Sequence, residues 1–266
     1  MKNMFKFLLI IGLFGIFSTN ARQIIYDYNE RIVNGYNIDI KDAPYQIGIF
    51  NGYSFICGGT IISIKYIITA GHCLADIVNN NNLIIQAGSS ELKIGGSFHI
   101  AINVIIHEMY NESTMEHDIA LIEIYPLLSL DKFRQPIGLL KNSEILKIGD
   151  IALITGWGDT IENGELSLNL QAVRVPIISR ELCQQQYNNN YEDIENIIFM
   201  SQICAGYPEG GKDSCHGDSG GPMVVHGQLT GIVSYGIGCA RAALPGVYTH
   251  VAYYIDWIEK NTNLKF

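Results

Sequence analysis

The sequence predicts an all-β protein closed by one C-terminal helix. Three observations carry that prediction: short apolar runs rich in β-branched residues, turn residues between nearly all of them, and a helical period at the chain's end alone. The runs are Phe55–Ile62, Tyr66–Ala70, Leu83–Ala87, His99–Ile106, Ile119–Ile124, Ile151–Ile154, Leu170–Ile178 and Met223–Tyr235. Gly, Asn or Pro bounds them, and strands so short and so spaced build a barrel or a sandwich. Val251, Tyr254, Ile255 and Ile258 fall at i, i+3, i+4 and i+7, which puts them on one face of a packed helix. The Asn runs at 79–82 and 188–190 read as surface loops.

The first 21 residues read as an address. Lys2 and Lys6 precede an apolar run from Phe7 to Phe17, and small and polar residues follow to Ala21, the pattern of a secretory signal. The run is too short to span a bilayer, which takes about 20 residues, and charged residues or Gly interrupt every later apolar stretch. The expected protein is therefore secreted and extracellular, with no membrane anchor. Beyond residue 31 the chain carries 13 Lys and Arg against 24 Asp and Glu, a net charge of −11. Nucleic acid and anionic membranes need a basic face, so neither is an expected partner. Six cysteines suit an oxidising compartment as three disulfides, although the count alone allows 15 pairings. No CxxC or paired-His spacing supports a zinc site, and no metal or cofactor is expected.

The densest chemistry lies in residues 212–222, KDSCHGDSGGP. There Gly217, Gly220 and Gly221 frame Ser219. They remove side-chain bulk from the approach to its hydroxyl and free backbone N–H groups to turn toward a developing negative charge. A nucleophilic serine needs a base and a group to orient it, and the chain supplies His72 in TAGHC and Asp118 in HDIAL.

Four motifs in order, RIVNG at 31–35, TAGHC at 69–73, HDIAL at 117–121 and GDSGGP at 217–222, identify residues 32–266 as resembling the trypsin-like serine proteases of the chymotrypsin family. The resemblance implies two six-stranded antiparallel β-barrels. His72 and Asp118 then come from the first, Ser219 from the second, and the cleft lies between them. It implies His72 as general base, Asp118 as its orienter, Ser219 as nucleophile, and the N–H groups of Gly217 and Ser219 as the oxyanion hole. It selects the pairings Cys57–Cys73, Cys183–Cys204 and Cys215–Cys239. Residues 22–31 become an activation peptide cut after Arg31, whose new amino terminus at Ile32 pairs with Asp218.

The resemblance also sets Asp213 at the bottom of the primary specificity pocket, with Ser214, Ser234, Gly236 and Gly246 around it. A buried carboxylate there selects substrates with Arg or Lys before the scissile bond, and glycines leave room for a long cationic side chain. Protein and peptide substrates are the expected partners, with protein protease inhibitors a further class, and the expected form is a monomer. A ten-residue propeptide is too short for a separate folded module, which favours a digestive role over a cascade. An inactive homologue serving as a binding module is the alternative, and it requires a broken triad, pocket or oxyanion glycine; none is found.

Three residues depart from the family pattern: Gly71 for Ala, Tyr235 for Trp and His216 for Gln. None removes a catalytic atom; Tyr235 and His216 alter the cleft rim. In residues 86–98, where some relatives bind calcium, Glu91 is the only acid, too few for a tight site. Asn111-Glu112-Ser113 is a glycosylation sequon. His99, His107, His117, His226 and His250 read as surface or packing residues.

Overall fold

A computed structural model describes residues 32–77, 82–190 and 198–266. The signal segment, the activation peptide with Arg31, and Asn79–Asn81 lie outside the described residues. The strands are β1 (Tyr36–Asn37), β2 (Gln46–Asn51), β3 (Ser54–Ile61), β4 (Tyr66–Thr69), β5 (Leu83–Ala87), β6 (Ser97–Ile106) and β7 (Ala120–Tyr125), followed by β8 (Ile151–Gly156), β9 (Gln171–Ile178), β10 (Gln202–Ala205), β11 (Pro222–Val225), β12 (Gln228–Tyr235) and β13 (Gly246–His250). Strands β2-β3-β4-β7-β6-β5 close into one antiparallel barrel. Strands β8-β9-β10-β13-β12-β11 close into a second through the β8–β9 pairing, with β1 added outside β9. The two six-stranded barrels are those the resemblance implied, and all three disulfides pair as expected, Cys57–Cys73, Cys183–Cys204 and Cys215–Cys239.

Alternation explains how each strand serves its barrel. In β9, Val173, Val175 and Ile177 are buried while Arg174 between them projects outward, the period-2 pattern of a sheet with one dry face. The second barrel's interior holds Ile154, Val173, Val175, Met223, Val225 and Tyr248. Ile32 joins that cluster with no exposed surface, so the start of the described chain is seated inside the second barrel. The C-terminal α-helix, Ile255–Thr262, follows a short 3-10 turn at Val251–Tyr254. Val251, Tyr254 and Ile258 are buried as predicted and, with Trp257, join the hydrophobic cluster that contains the first barrel's interior, beside His107 and Glu108.

Two expectations need correction. The end of the chain is not its only helical part: Arg180–Asn190 forms an 11-residue α-helix, and its last turn holds the Asn188–Asn190 run read as a loop. Only Cys183 and Tyr187 of this helix are buried, one i,i+4 pair rather than a stripe, so no apolar period betrays it. Ser179, whose hydroxyl accepts from the Leu182 N–H at 3.0 Å, is the start signal that was there to be read. The run Met223–Tyr235 is two strands, β11 and β12, joined at His226-Gly227, where φ is +51° and +75°. Positive φ at both central residues gives the tight turn whose twist matches a hairpin. Strands β1, β2, β10 and β13 were not read from the sequence at all.

Candidate active site

Strand register brings the first two site residues together. Thr69 of β4 pairs with Ala120 of β7, so His72, three residues past the first, meets Asp118, two residues before the second. His72 Nδ1 lies 2.8 Å from Asp118 Oδ2, and the His72 backbone N–H donates to Asp118 Oδ1 at 2.8 Å. The imidazole is thus gripped at ring and backbone by one carboxylate. Asp118 is itself buried and held from behind, because the Ser234 hydroxyl donates to Oδ2 at 2.6 Å and the Thr249 hydroxyl to its carbonyl at 2.6 Å. A Cβ at Gly71 would lie 3.3 Å from the Asp118 carboxylate and from the Tyr110 ring, a tight contact that small shifts can absorb.

The second barrel delivers Ser219 on the loop between Cys215 and β11. The Gly58 N–H of β3 donates to the Ser219 carbonyl at 2.8 Å, which docks this loop on the first barrel. Gly220 has φ +76°, and a Cβ there would collide with the Thr69 hydroxyl and the Gly58 carbonyl, so only glycine permits the approach. Gly217 also has positive φ, +93°. Among the described residues no hydrogen bond takes up the N–H of Gly217 or Ser219.

His72 and Ser219 line one cavity of about 290 Å³ together with Asp213, Ser214, Tyr235, Gly236 and Gly246. Asp213 is 4 % exposed. Its Oδ2 accepts from the Ala240 N–H at 3.1 Å, and burial pushes its pKa up to about 7. The Ser214 hydroxyl lies 3.4 Å from Asp213 and 3.2 Å from the Tyr248 hydroxyl. The other expected pocket residue, Ser234, lines the cavity, but its hydroxyl is committed to Asp118 and leaves only backbone for a ligand. Met115 also lines the cavity and was missed. It holds φ +54° in the loop before Asp118, a placement no local pattern announces.

Asp218 is fully buried beneath the Ser219 loop. Its carboxylate accepts from the N–H groups of Gly158 at 2.8 Å and Cys215 at 2.9 Å, and Gly156 and Gly158 form a cradle that any side chain would fill. Burial is the main cause that raises its pKa to about 7. An unfolded aspartate titrates near 4, so between about pH 4 and 7 the folded chain keeps a proton that the unfolded chain has lost. The contribution of Asp218 to stability is therefore fully present below about pH 4 and is lost as the pH rises to 7, and that of Asp213 follows the same trend. Urea unfolding across that window should show Asp218→Asn lowering the slope by about 1.4 kcal/mol per pH unit. An unchanged slope would mean that Asp218 is ionised without cost.

Neither candidate metal cluster fits an ion. Cys57, His72 and Cys73, and Cys215, His216 and Cys239, are grouped, but all four cysteines are spent in disulfides and offer no thiolate. The loop after β5 does not suit calcium either. The carbonyls of Glu91, Ile94 and Gly95 accept from Gln86 Nε2 at 3.0, 3.0 and 3.2 Å, so a carboxamide occupies the place of a cation. Of the remaining histidines, His99 bonds Ser97 and the Pro126 carbonyl. His107 and His117 stack on each other beside Tyr254, and His226 meets Asp150. His250 is buried near the Ser143 hydroxyl. Asn111 is exposed, and its Oδ1 accepts from the Ser113 and Thr114 N–H groups.

Two barrels with a serine, an imidazole and a buried carboxylate along their seam define a class of hydrolase. Sequence comparison narrows it. The trypsin family's sequence model matches residues 32–258. Trypsin eta of Drosophila melanogaster is 40 % identical over 97 % of both chains. Trypsin I-P1 of Gallus gallus is 39 % identical over 96 % of this chain and 97 % of its own. A trypsin of Phaedon cochleariae is 37 % identical over 98 % of this chain and its own full length. The chain belongs to the trypsin family of serine endopeptidases, and its substrates are proteins.

Proposed function

We propose that this protein is a secreted digestive endopeptidase, made as a zymogen, that cuts after Arg and Lys with His72, Asp118 and Ser219. The observation that carries the specificity is the buried Asp213 carboxylate in the cavity that His72 and Ser219 also line. An arriving guanidinium or ammonium converts that site from a costly anion into a charge-assisted hydrogen-bonded pair, whereas a neutral side chain leaves it unpartnered. A Cβ at Gly246 would stand 3.0 Å from the Asp213 carboxylate, so the glycine there leaves the long side chain its passage.

In the reaction His72 removes the Ser219 proton as the oxygen attacks the scissile carbonyl. Asp118, bonded to Nδ1, keeps Nε2 free for this and stabilises the imidazolium. The N–H groups of Gly217 and Ser219 hold the oxyanion, the protonated His72 hands its proton to the leaving amine, and water then releases the acyl group. Residues 1–21 serve as the signal, 22–31 as the activation peptide and 32–266 as the peptidase. After a cut at Arg31, the Ile32 ammonium supplies Asp218 with the cation it lacks among the described residues. Ile32 already sits in the second barrel's core, which favours this reading. Three disulfides support secretion; no helix among the described residues is long and apolar enough to cross a membrane.

The test is hydrolysis of peptide reporters ending in Arg, Lys, Phe and Ala, before and after limited cleavage at Arg31. Turnover of the Arg and Lys reporters alone, only after cleavage, is expected. Equal turnover of the Phe reporter would overturn the Asp213 assignment, full activity of the uncut chain would overturn the zymogen, and silence toward every reporter would favour a binding module.

A further inference from the structure

We propose that a cavity between the two barrels, separate from the catalytic one, binds a small carboxylate with an apolar body, received by Arg174 and Tyr45. The cavity holds about 470 Å³ and shares no lining residue with the one that His72 and Ser219 line. Strand register in the second barrel builds its floor. Ala152 and Ile154 of β8 belong to that barrel's interior, so Ile151 and Leu153, which alternate with them, face outward. Leu153 pairs with Arg174 of β9 on one side and with Val224 of β11 on the other, which sets a guanidinium and two apolar side chains in one row. Pro44 and Tyr45, just before β2 of the first barrel, and Ile137 of the connecting segment supply the facing wall. That wall is part of the folded frame: the Gln135 N–H donates to the Pro44 carbonyl at 2.9 Å and the Ile137 N–H to the Ile61 carbonyl at 3.1 Å. Preformed, mostly apolar cavities with a few polar groups, at the junction of two folded units, are where small ligands bind.

Two unpartnered groups give the ligand its chemistry. Tyr45 is only 9 % exposed, yet its hydroxyl has no hydrogen-bond partner among the described residues. A polar group so far withdrawn from water is ordinarily paired. Burial pushes the Tyr45 pKa up to about 12, so the hydroxyl keeps its proton and can donate it. The Arg174 guanidinium likewise makes no hydrogen bond or ion pair among the described residues, and it lies close enough for its charge to act on the Tyr45 hydroxyl. One carboxylate placed between them accepts from both, in charge-assisted bonds, while its apolar body covers Leu153, Ile151 and Val224.

The other charged groups narrow the class. Asp42 also lines the cavity and opposes an anion from its exposed position, and His226 is engaged with Asp150 at 3.0 Å. With the chain beyond residue 31 at −11, a polyanion is repelled, whereas a single negative charge on an apolar body meets its two donors and little else. A fatty-acid anion and the C-terminal residue of a peptide share that chemistry. Either would touch both barrels and the segment between them, so it should raise stability by mass action while leaving turnover alone.

The experiment titrates the secreted chain carrying Ser219→Ala, by calorimetry and thermal unfolding, with decanoate and separately with N-acetyl-phenylalanine. Decanol and decyltrimethylammonium serve as the neutral and cationic counterparts. At least one carboxylate should bind once per chain and raise the melting temperature, with decanol about tenfold weaker or worse and the cation inert. Arg174→Gln should weaken the carboxylate about tenfold or more, Tyr45→Phe several-fold, and Asp42→Asn should tighten it. Binding of decanoate alone would assign the site to free fatty-acid anions, and binding of N-acetyl-phenylalanine alone to peptide termini. The Arg174 and Tyr45 substitutions in the active chain should leave reporter hydrolysis at its wild-type rate, which separates a lost ligand from a lost fold. Silence of both carboxylates, equal affinity for decanol and decanoate, or an unchanged affinity in Arg174→Gln overturns the proposal.

Discussion

Replacing Ser219 by Ala is expected to lower kcat by about 10⁶, and replacing His72 by Ala by a similar factor, with the double variant no worse than either. The reason is that the two side chains form one device. Without the imidazole the hydroxyl stays protonated, and without the hydroxyl the imidazole has no proton to take. The grip of Asp118 on His72, at ring and backbone together, fixes the ring's tautomer and direction but makes no bond to substrate. Burst and steady-state assays on an Arg reporter check this. Additive losses would show that Ser219 and His72 act separately, and the assigned mechanism would be wrong.

Asp213→Ser is expected to cut kcat/KM for Arg and Lys reporters by about 10³–10⁵, with far less effect on a Phe reporter. The buried carboxylate accepts from the backbone N–H groups of Ala240 and Ser214 and from the Ser214 hydroxyl, and it lines the cavity. In the variant a desolvated cation meets only neutral oxygens. The wild-type preference should also weaken below about pH 7, where Asp213 takes up a proton and a cationic side chain must displace it. A variant that keeps its preference for Arg would mean that another group receives the cation.

The parts of the site readable in the sequence are those written as contiguous words. TAGHC, HDIAL and KDSCHGDSGGP each pack a chemical group together with the small residues that let it approach its neighbours. The resemblance then needed only the fold to join them, and the register of β4 on β7 brings His72 to Asp118. Met115 was not readable, because its place in the cavity depends on the path of a whole loop rather than on its neighbours. Ser234 was expected around the pocket and lines it, whereas the bond of its hydroxyl to Asp118, across 116 residues of chain, has no local signal. The cradle of Gly156 and Gly158 around Asp218 is of the same kind, glycines whose reason lies on a distant loop. Among elements, the helix Arg180–Asn190 escaped because it buries two side chains only, and β2 because Gly48 interrupts its apolar run.

Ile32, the first described residue, is seated in the core of the second barrel, while Val251, Tyr254, Trp257 and Ile258 join the hydrophobic cluster that contains the first barrel's interior. Synthesis runs from the first barrel toward the second, so the strands of the first emerge before the C-terminal helix that shares its hydrophobic cluster. Its apolar surface is then open for most of translation. A first barrel expressed without residues 251–262 should therefore expose the apolar surface that these side chains cover.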